Sequence, residues 1–145
     1  MNFQAPVSEY MTKQVISVSA EDSLATVKEI FDTYNIHHVP VVHIRNIEGI
    51  ISKSDLNHFL RGFTNVEEDN LLDEARLRNY KAKDIMTTRM AKVESTDKMN
   101  VVLEVLKINR FHALPVVDNN ELVGIITTHD IISALVDDDP VKAAF

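Results

Sequence analysis

A glycine opens a run of apolar, β-branched residues at Gly49-Ile50-Ile51-Ser52, and the same pattern stands 75 positions later at Gly124-Ile125-Ile126-Thr127. Each run has the length and residue types of a buried strand closed by a hydroxyl. Polar residues follow in both copies, Lys53-Ser54-Asp55 and Thr128-His129-Asp130. The chain then turns to helical spacing, which predicts helices from about Lys53 to Leu60 and from Thr128 to Leu135.

Upstream the same shift holds without a gap. Val15-Ile16-Ser17-Val18 alternates into a short strand, matched by Met90 to Val93. Asp22 or Ser23 caps a helix whose Leu24, Val27, Ile30, Phe31 and Tyr34 share one face, with Asn35 at its end. Its echo is built on Met99, Val102, Leu103, Val105, Leu106 and Ile108. Val39-Pro40-Val41-Val42 and Leu114-Pro115-Val116-Val117 read as second strands, with the proline near the start where a missing N–H costs least. Of the two hairpin turns, Asp118-Asn119-Asn120-Glu121 has better chemistry than His43-Ile44-Arg45-Asn46. A short lead-in, Val7 to Thr12 and again Ala82 to Thr87, ends each time in Met-Thr, and Met1 to Pro6 reads as a tail.

The fold class that follows is α/β (α+β): two β-α-β-β-α units at 7–62 and 82–137, joined by a connector at 63–81. Identities at the offset include Met11/Met86, Asp22/Asp97, His37/His112, Pro40/Pro115, Gly49/Gly124 and Asp55/Asp130. Two copies of so small a unit suggest pseudo-two-fold packing through their sheets, since neither alone covers its apolar face. Within the connector, Val66 to Tyr80 is charged, and its apolar residues Val66, Leu71, Leu72, Ala75 and Leu77 form an irregular stripe. It reads as a solvated link, and Asp137-Asp138-Asp139-Pro140 as a solvated stop to the last helix.

Charge and composition narrow the function. A net charge of −7 with 45% hydrophobic residues describes a folded chain and argues against a nucleic-acid partner, whose affinity would rest on Lys and Arg contacts to phosphates. Without cysteine there is no disulfide, thiolate metal site or cysteine nucleophile. No long apolar run predicts a membrane span, so a soluble cytoplasmic protein is expected. A hydroxyl with an aspartate three positions on is the outline of a helix-capping pair. It also stands where backbone donors and a positive helix end meet at the mouth of a strand, a common place for ligands. Both readings stay open on the residues alone.

The lead-in Met-Thr, the paired segments His37-His38-Val39-Pro40 and His112-Ala113-Leu114-Pro115, and both Gly-Ile-Ile-Ser/Thr-x-x-Asp corners together resemble a tandem pair of CBS (cystathionine-β-synthase) domains, a Bateman module, over roughly residues 7 to 136. The resemblance implies paired units with clefts between them that hold AMP, ADP, ATP or S-adenosylmethionine, association into a disc-like homodimer, and regulation of a partner protein not identified by these residues. It implies no catalytic residue and no required cofactor. Asp55 and Asp130 become the acceptors for the ribose hydroxyls. Ser52 and Thr127 donate to phosphate or cap the helix, one hydroxyl serving both uses.

In family members that sense adenine nucleotides a basic residue before the second strand contacts phosphate, and His37 and His112 match that place. The arginine that follows it in some members is here His38 or Ala113, which weakens the anion cradle. Lys53, Arg110 and His129 are further cations nearby. Adenine contacts fall to Ile16, Val39 and Pro40 in the first copy and Ala91, Leu114 and Pro115 in the second. Two other readings are a scaffold with degenerate, empty clefts and a metal site at His37, His38 and His43, although adjacent strand side chains point to opposite faces. No P-loop or His-Glu-x-x-His helix is present to support an enzyme.

Overall fold

The computed structural model describes residues 1–61 and 70–138. Expectations for residues 62–69, among them Val66, for the Leu71 side chain and for Asp139-Pro140 lie outside the described residues. The chain forms two compact units: Ile16–Met90, and Met1–Val15 with the chain from Ala91 onward.

In the Ile16–Met90 unit, helix α1 (Leu24–Thr33) starts at Ser23, whose Oγ accepts the Thr26 N–H at 3.3 Å. Leu24, Val27 and Phe31 are buried at the predicted spacing. Tyr34 is not; the helix has ended, its backbone is extended, and the ring is 50% exposed. Strands β1 (His38–His43) and β2 (Asn46–Ser52) pair antiparallel, and α2 (Lys53–Arg61) follows β2 without a loop. After them come α3 (Asn70–Asn79) and the single turn α4 (Ala82–Ile85). Val27, Phe31, Val39, Val41, Ile51 and Leu56 form the core, and Leu77 of α3 joins them. The described part of the connector is therefore more than a solvated link. Burying Leu77 anchors it, and Tyr80 meets Phe59 edge to face with ring centres 5.0 Å apart.

The second unit holds a 3-10 turn at Val7–Glu9, β3 (Val93–Glu94), α5 (Met99–Asn109), β4 (Ala113–Asp118), β5 (Glu121–Thr127) and α6 (Thr128–Asp137). Strand β4 pairs parallel with β3 and antiparallel with β5. Its core gathers Val7, Val93, Met99, Val102, Leu106, Leu114, Val116, Ile126 and Ile131. Ile108, predicted to join the apolar face, is 71% exposed.

The two first strands differ from expectation and from each other. Val15 to Val18 forms no strand; Val18 alone bridges to Val41, through Val18 N–H to Pro40 O at 3.0 Å and Val42 N–H to Val18 O at 2.8 Å. In the second copy pairing reaches Val93 and Glu94, because Asp118 holds the next residue, accepting from Ser95 N–H at 3.2 Å and Ser95 Oγ at 2.7 Å. The residues at those places in the first copy are His43 and Ala20, which cannot make that clamp.

Each lead-in docks on the other repeat in sequence. Ala82 N–H donates to Asp22 O at 2.8 Å, and Val7 N–H donates to Asp97 O at 2.7 Å. Thr87 and Ile50 exchange two main-chain hydrogen bonds, as do Thr12 and Ile125. Even the residues read as a tail take part, since Ala5 is buried and its carbonyl accepts the Met99 N–H at 2.9 Å. Asp22 and Asp97 recur for a structural reason: their carboxylates accept Ser19 N–H and Glu94 N–H, each at 2.8 Å, and set the turn before the helix. Beside the first docking point Lys81 and Lys83 donate to Glu21 at 2.6 and 2.8 Å, and these bonds hold its carboxyl at about 2. The contribution of this exposed group is present above the ordinary carboxylate range, fades as pH falls toward 2, and is screened by salt.

Both hairpins turn on two residues. Asn119 and Asn120 take φ of 52° and 64°, which asparagine accommodates, but in the first hairpin the φ of 61° falls on Ile44, a β-branched residue. Its side chain is 87% exposed and gains little in return. Left-handed backbone costs such a residue about 1–2 kcal/mol, so Ile44→Asn is expected to raise stability by about 1 kcal/mol, read as a higher urea midpoint at unchanged slope. An unchanged or lower midpoint would show that the turn does not carry this strain.

Candidate functional site

The repeated corner is built the same way in each unit. At the junction of β2 and α2, Ser52 N–H donates to Asp55 Oδ2 and Asp55 N–H donates to Ser52 Oγ, both at 2.9 Å. At the junction of β5 and α6, Thr127 N–H donates to Asp130 Oδ2 at 2.9 Å and Asp130 N–H donates to Thr127 Oγ1 at 3.1 Å. These are reciprocal capping pairs. They occupy one carboxylate oxygen and leave the other for a second purpose. Both aspartates are half-buried.

The second oxygens differ. Oδ1 of Asp130 accepts from Thr12 Oγ1 at 3.3 Å, so the threonine of the lead-in reaches the corner of its unit. Among the described residues Asp55 Oδ1 has no hydrogen-bond partner. Thr12 was visible in the sequence only as part of a motif; its contact depends on which corner the lead-in reaches.

His37 and His112 stand immediately before β1 and β4, exposed, and their carbonyls accept the first helical N–H of the corner: Lys53 to His37 at 2.8 Å and Thr128 to His112 at 3.0 Å. One main-chain bond thus ties each histidine to its helix N-terminus. Ser52 and Thr127 are half-buried, with their hydroxyl oxygens engaged in capping. Val39 and Leu114 are fully buried in the cores of their units. Pro40 and Pro115 are buried as well, while Ile16 and Ala91 are half-buried, Ala91 packing against the core of its unit.

Next to the first corner lies a recess of about 370 Å3 lined by His37, Lys53, Ser54, Asn57, His58 and Arg61. Of these only His37 and Lys53 stood out in the sequence. Asn57, His58 and Arg61 are ordinary solvent-facing helix residues until the helix is placed beside His37. Among the described residues no three His, Asp or Glu side chains gather as a metal site, and no helix is long and apolar enough to cross a membrane.

Two α+β repeats with matched strand-to-helix corners define a tandem module, and comparison with known proteins gives its family. Residues 7–62 and 82–137 each match the CBS domain. The chain belongs to the CBS domain family. Inosine-5'-monophosphate dehydrogenase of Methanocaldococcus jannaschii is 32% identical over 126 residues, which cover 86% of this chain and 22% of that enzyme. The chain spans 44% and 45% of two further curated relatives from the same organism. Among solved structures, the CBS domain pair of protein MJ0100 in complex with 5'-methylthioadenosine and S-adenosyl-L-methionine is similar at a TM-score of 0.75 and 22% identity, covering 90% of this chain and 98% of that one. CBSX2 in complex with AMP is similar at a TM-score of 0.75 and 22% identity, covering 92% and 97%. At these identities the likeness establishes the fold.

Proposed function

We propose that this chain is a non-catalytic regulatory module that binds an adenosine-type ligand, AMP, ADP, ATP or S-adenosylmethionine, at its repeated corners and modulates a partner protein. The observation that carries the reading is the division of labour in Asp55: one oxygen caps α2 and the other has no partner among the described residues. A carboxylate oxygen so placed accepts ribose hydroxyls without giving up the helix cap. Asp130 serves the second repeat in the same way, with Thr12 orienting it. His37 and His112 take the phosphate end. Half-buried Ile16 and Ala91 offer more apolar surface to adenine than the fully buried Val39 and Leu114. The adenosyl ligands of MJ0100 and CBSX2 support the ligand class.

Ligand binding regulates only by favouring one arrangement of the protein over another. A second copy is the expected assembly partner, supported by apolar side chains exposed on α5 and α6, Val101, Ile108, Ile132, Leu135 and Val136; a monomeric sedimentation coefficient at micromolar concentration would remove it. The test of the ligand class is a melting-temperature series with AMP, ADP, ATP, NAD and S-adenosylmethionine. A ligand at 100 times its Kd stabilises the native state by about 2.7 kcal/mol, a shift of several degrees. No shift with any of the five would leave the scaffold reading in its place.

A further inference from the structure

We propose that the recess on α2 is a polyphosphate site, and that the two repeats are unequal because only the first carries it. Each described side chain lining the recess presents a nitrogen or hydroxyl donor, and among the described residues no carboxylate lines it. Lys53, Asn57 and Arg61 follow one another at four-residue intervals along α2, and Ser54 and His58 do the same one position over, so all five share a face. His37 closes the recess from the start of β1. Among the described residues Lys53, His58 and Arg61 are in no ion pair. Such a concentration of positive groups is not expected of a chain with 15 basic and 22 acidic side chains.

Helix stability does not account for it. His58 and Arg61 suit the negative C-terminal end of α2, but Lys53 sits at the first position, where the helix end is itself positive and disfavours a cation. The second repeat shows what the position looks like without this demand. In place of Lys53, Asn57, His58 and Arg61 it has Thr128, Ile132, Ser133 and Val136, two of them apolar and exposed. A recess of about 370 Å3 falls within the range of small-ligand sites, roughly 300–1,000 Å3, and suits a short polyanion. Its position beside His37 makes the natural occupant the di- or triphosphate of a nucleotide whose ribose rests on Asp55. That last step rests on the function proposed above; the anion site itself does not.

The test is calorimetric titration of the full chain with sodium tripolyphosphate, ATP, AMP and adenosine at fixed ionic strength. Tripolyphosphate is expected to bind, and the double variant Lys53→Gln/Arg61→Gln to weaken both it and ATP about tenfold or more while adenosine is unaffected. Lys107→Gln, an exposed residue of α5 outside both corners, is expected to change none of these. ATP binding more tightly than tripolyphosphate assigns the site to a nucleotide; equal binding assigns it to an inorganic polyanion. Binding of adenosine without tripolyphosphate, or tripolyphosphate affinity unchanged in the double variant, overturns the inference. Binding of tripolyphosphate without adenosine keeps it and removes the nucleoside reading instead. Arg61 is exposed, Lys53 is half-buried, and neither is in an ion pair among the described residues, so the variant's unliganded melting temperature should match the wild type and separate binding from folding.

Discussion

Asp55→Asn is expected to weaken adenosine-type ligands about tenfold to a hundredfold at the first corner, from the loss of about 1.5–3 kcal/mol of charged hydrogen bonding, while the unliganded protein stays folded. The reasoning is in the two oxygens. An asparagine carbonyl still accepts the Ser52 N–H that Oδ2 now accepts at 2.9 Å, so the helix keeps its cap. The amide nitrogen replaces the other oxygen and turns the acceptor proposed for ribose hydroxyls into a donor. Asp55→Ala removes both functions and adds a capping loss of about 0.5–2 kcal/mol, so it confuses binding with stability. At the second corner Asp130→Asn should act in the same direction and less strongly, because Thr12 already occupies Oδ1 there. Titration calorimetry with AMP and a thermal melt on the same samples separate the terms. Unchanged affinity in Asp55→Asn would return the residue to capping alone.

That each corner caps its helix with one carboxylate oxygen and turns the other to a second use, open at Asp55 and engaged by Thr12 at Asp130, explains why the sequence supported two readings of these aspartates at once. The repeat at 75 positions located nearly every element, since each strand or helix was seen twice and a chance pattern rarely recurs at one offset. Where it misled, a single tertiary contact decided the outcome. The first strand failed because Ala20 and His43 lack the Ser95 and Asp118 clamp. Leu77 looked like one apolar residue in a charged stretch, and only its place in a core makes α3 part of the unit. The partner of each lead-in was illegible for a deeper reason. Met11 and Met86 are the same residue type, as are Gly49 and Gly124, so the pattern is identical whether a lead-in packs on its own repeat or on the other. The cations of α2 were hidden similarly, because spacing along one helix does not reveal that His37 faces it across a recess.

The exchange of lead-ins predicts a large effect from a small change. A Cβ at Gly124 would stand 2.5 Å from Met11 Sδ and 3.0 Å from the Thr12 carbonyl oxygen; at Gly49 it would meet Met86 Sδ at 2.7 Å, with Met86 Cγ and Cβ the next nearest atoms. Glycine to alanine in an open strand stabilises by about 0.4–1 kcal/mol through the unfolded chain, so the sign of the result reports whether the lead-in lies there. A methionine side chain can swing aside. The Thr12 carbonyl cannot, because it accepts the Ile125 N–H at 3.0 Å and its own N–H donates back to Ile125 O at 2.9 Å. Gly124→Ala is therefore expected to cost about 1–3 kcal/mol, and Gly49→Ala less. The same displacement carries Thr12 Oγ1 away from Asp130 Oδ1, so Gly124→Ala should also change ligand affinity at the second corner while the first corner, with Asp55, keeps its own. Denaturant titration of both variants, with AMP binding measured on each, decides it: a stabilised Gly124→Ala protein would mean that Met11 and Thr12 do not pack across β5, and the orienting role of Thr12 would be lost with that contact.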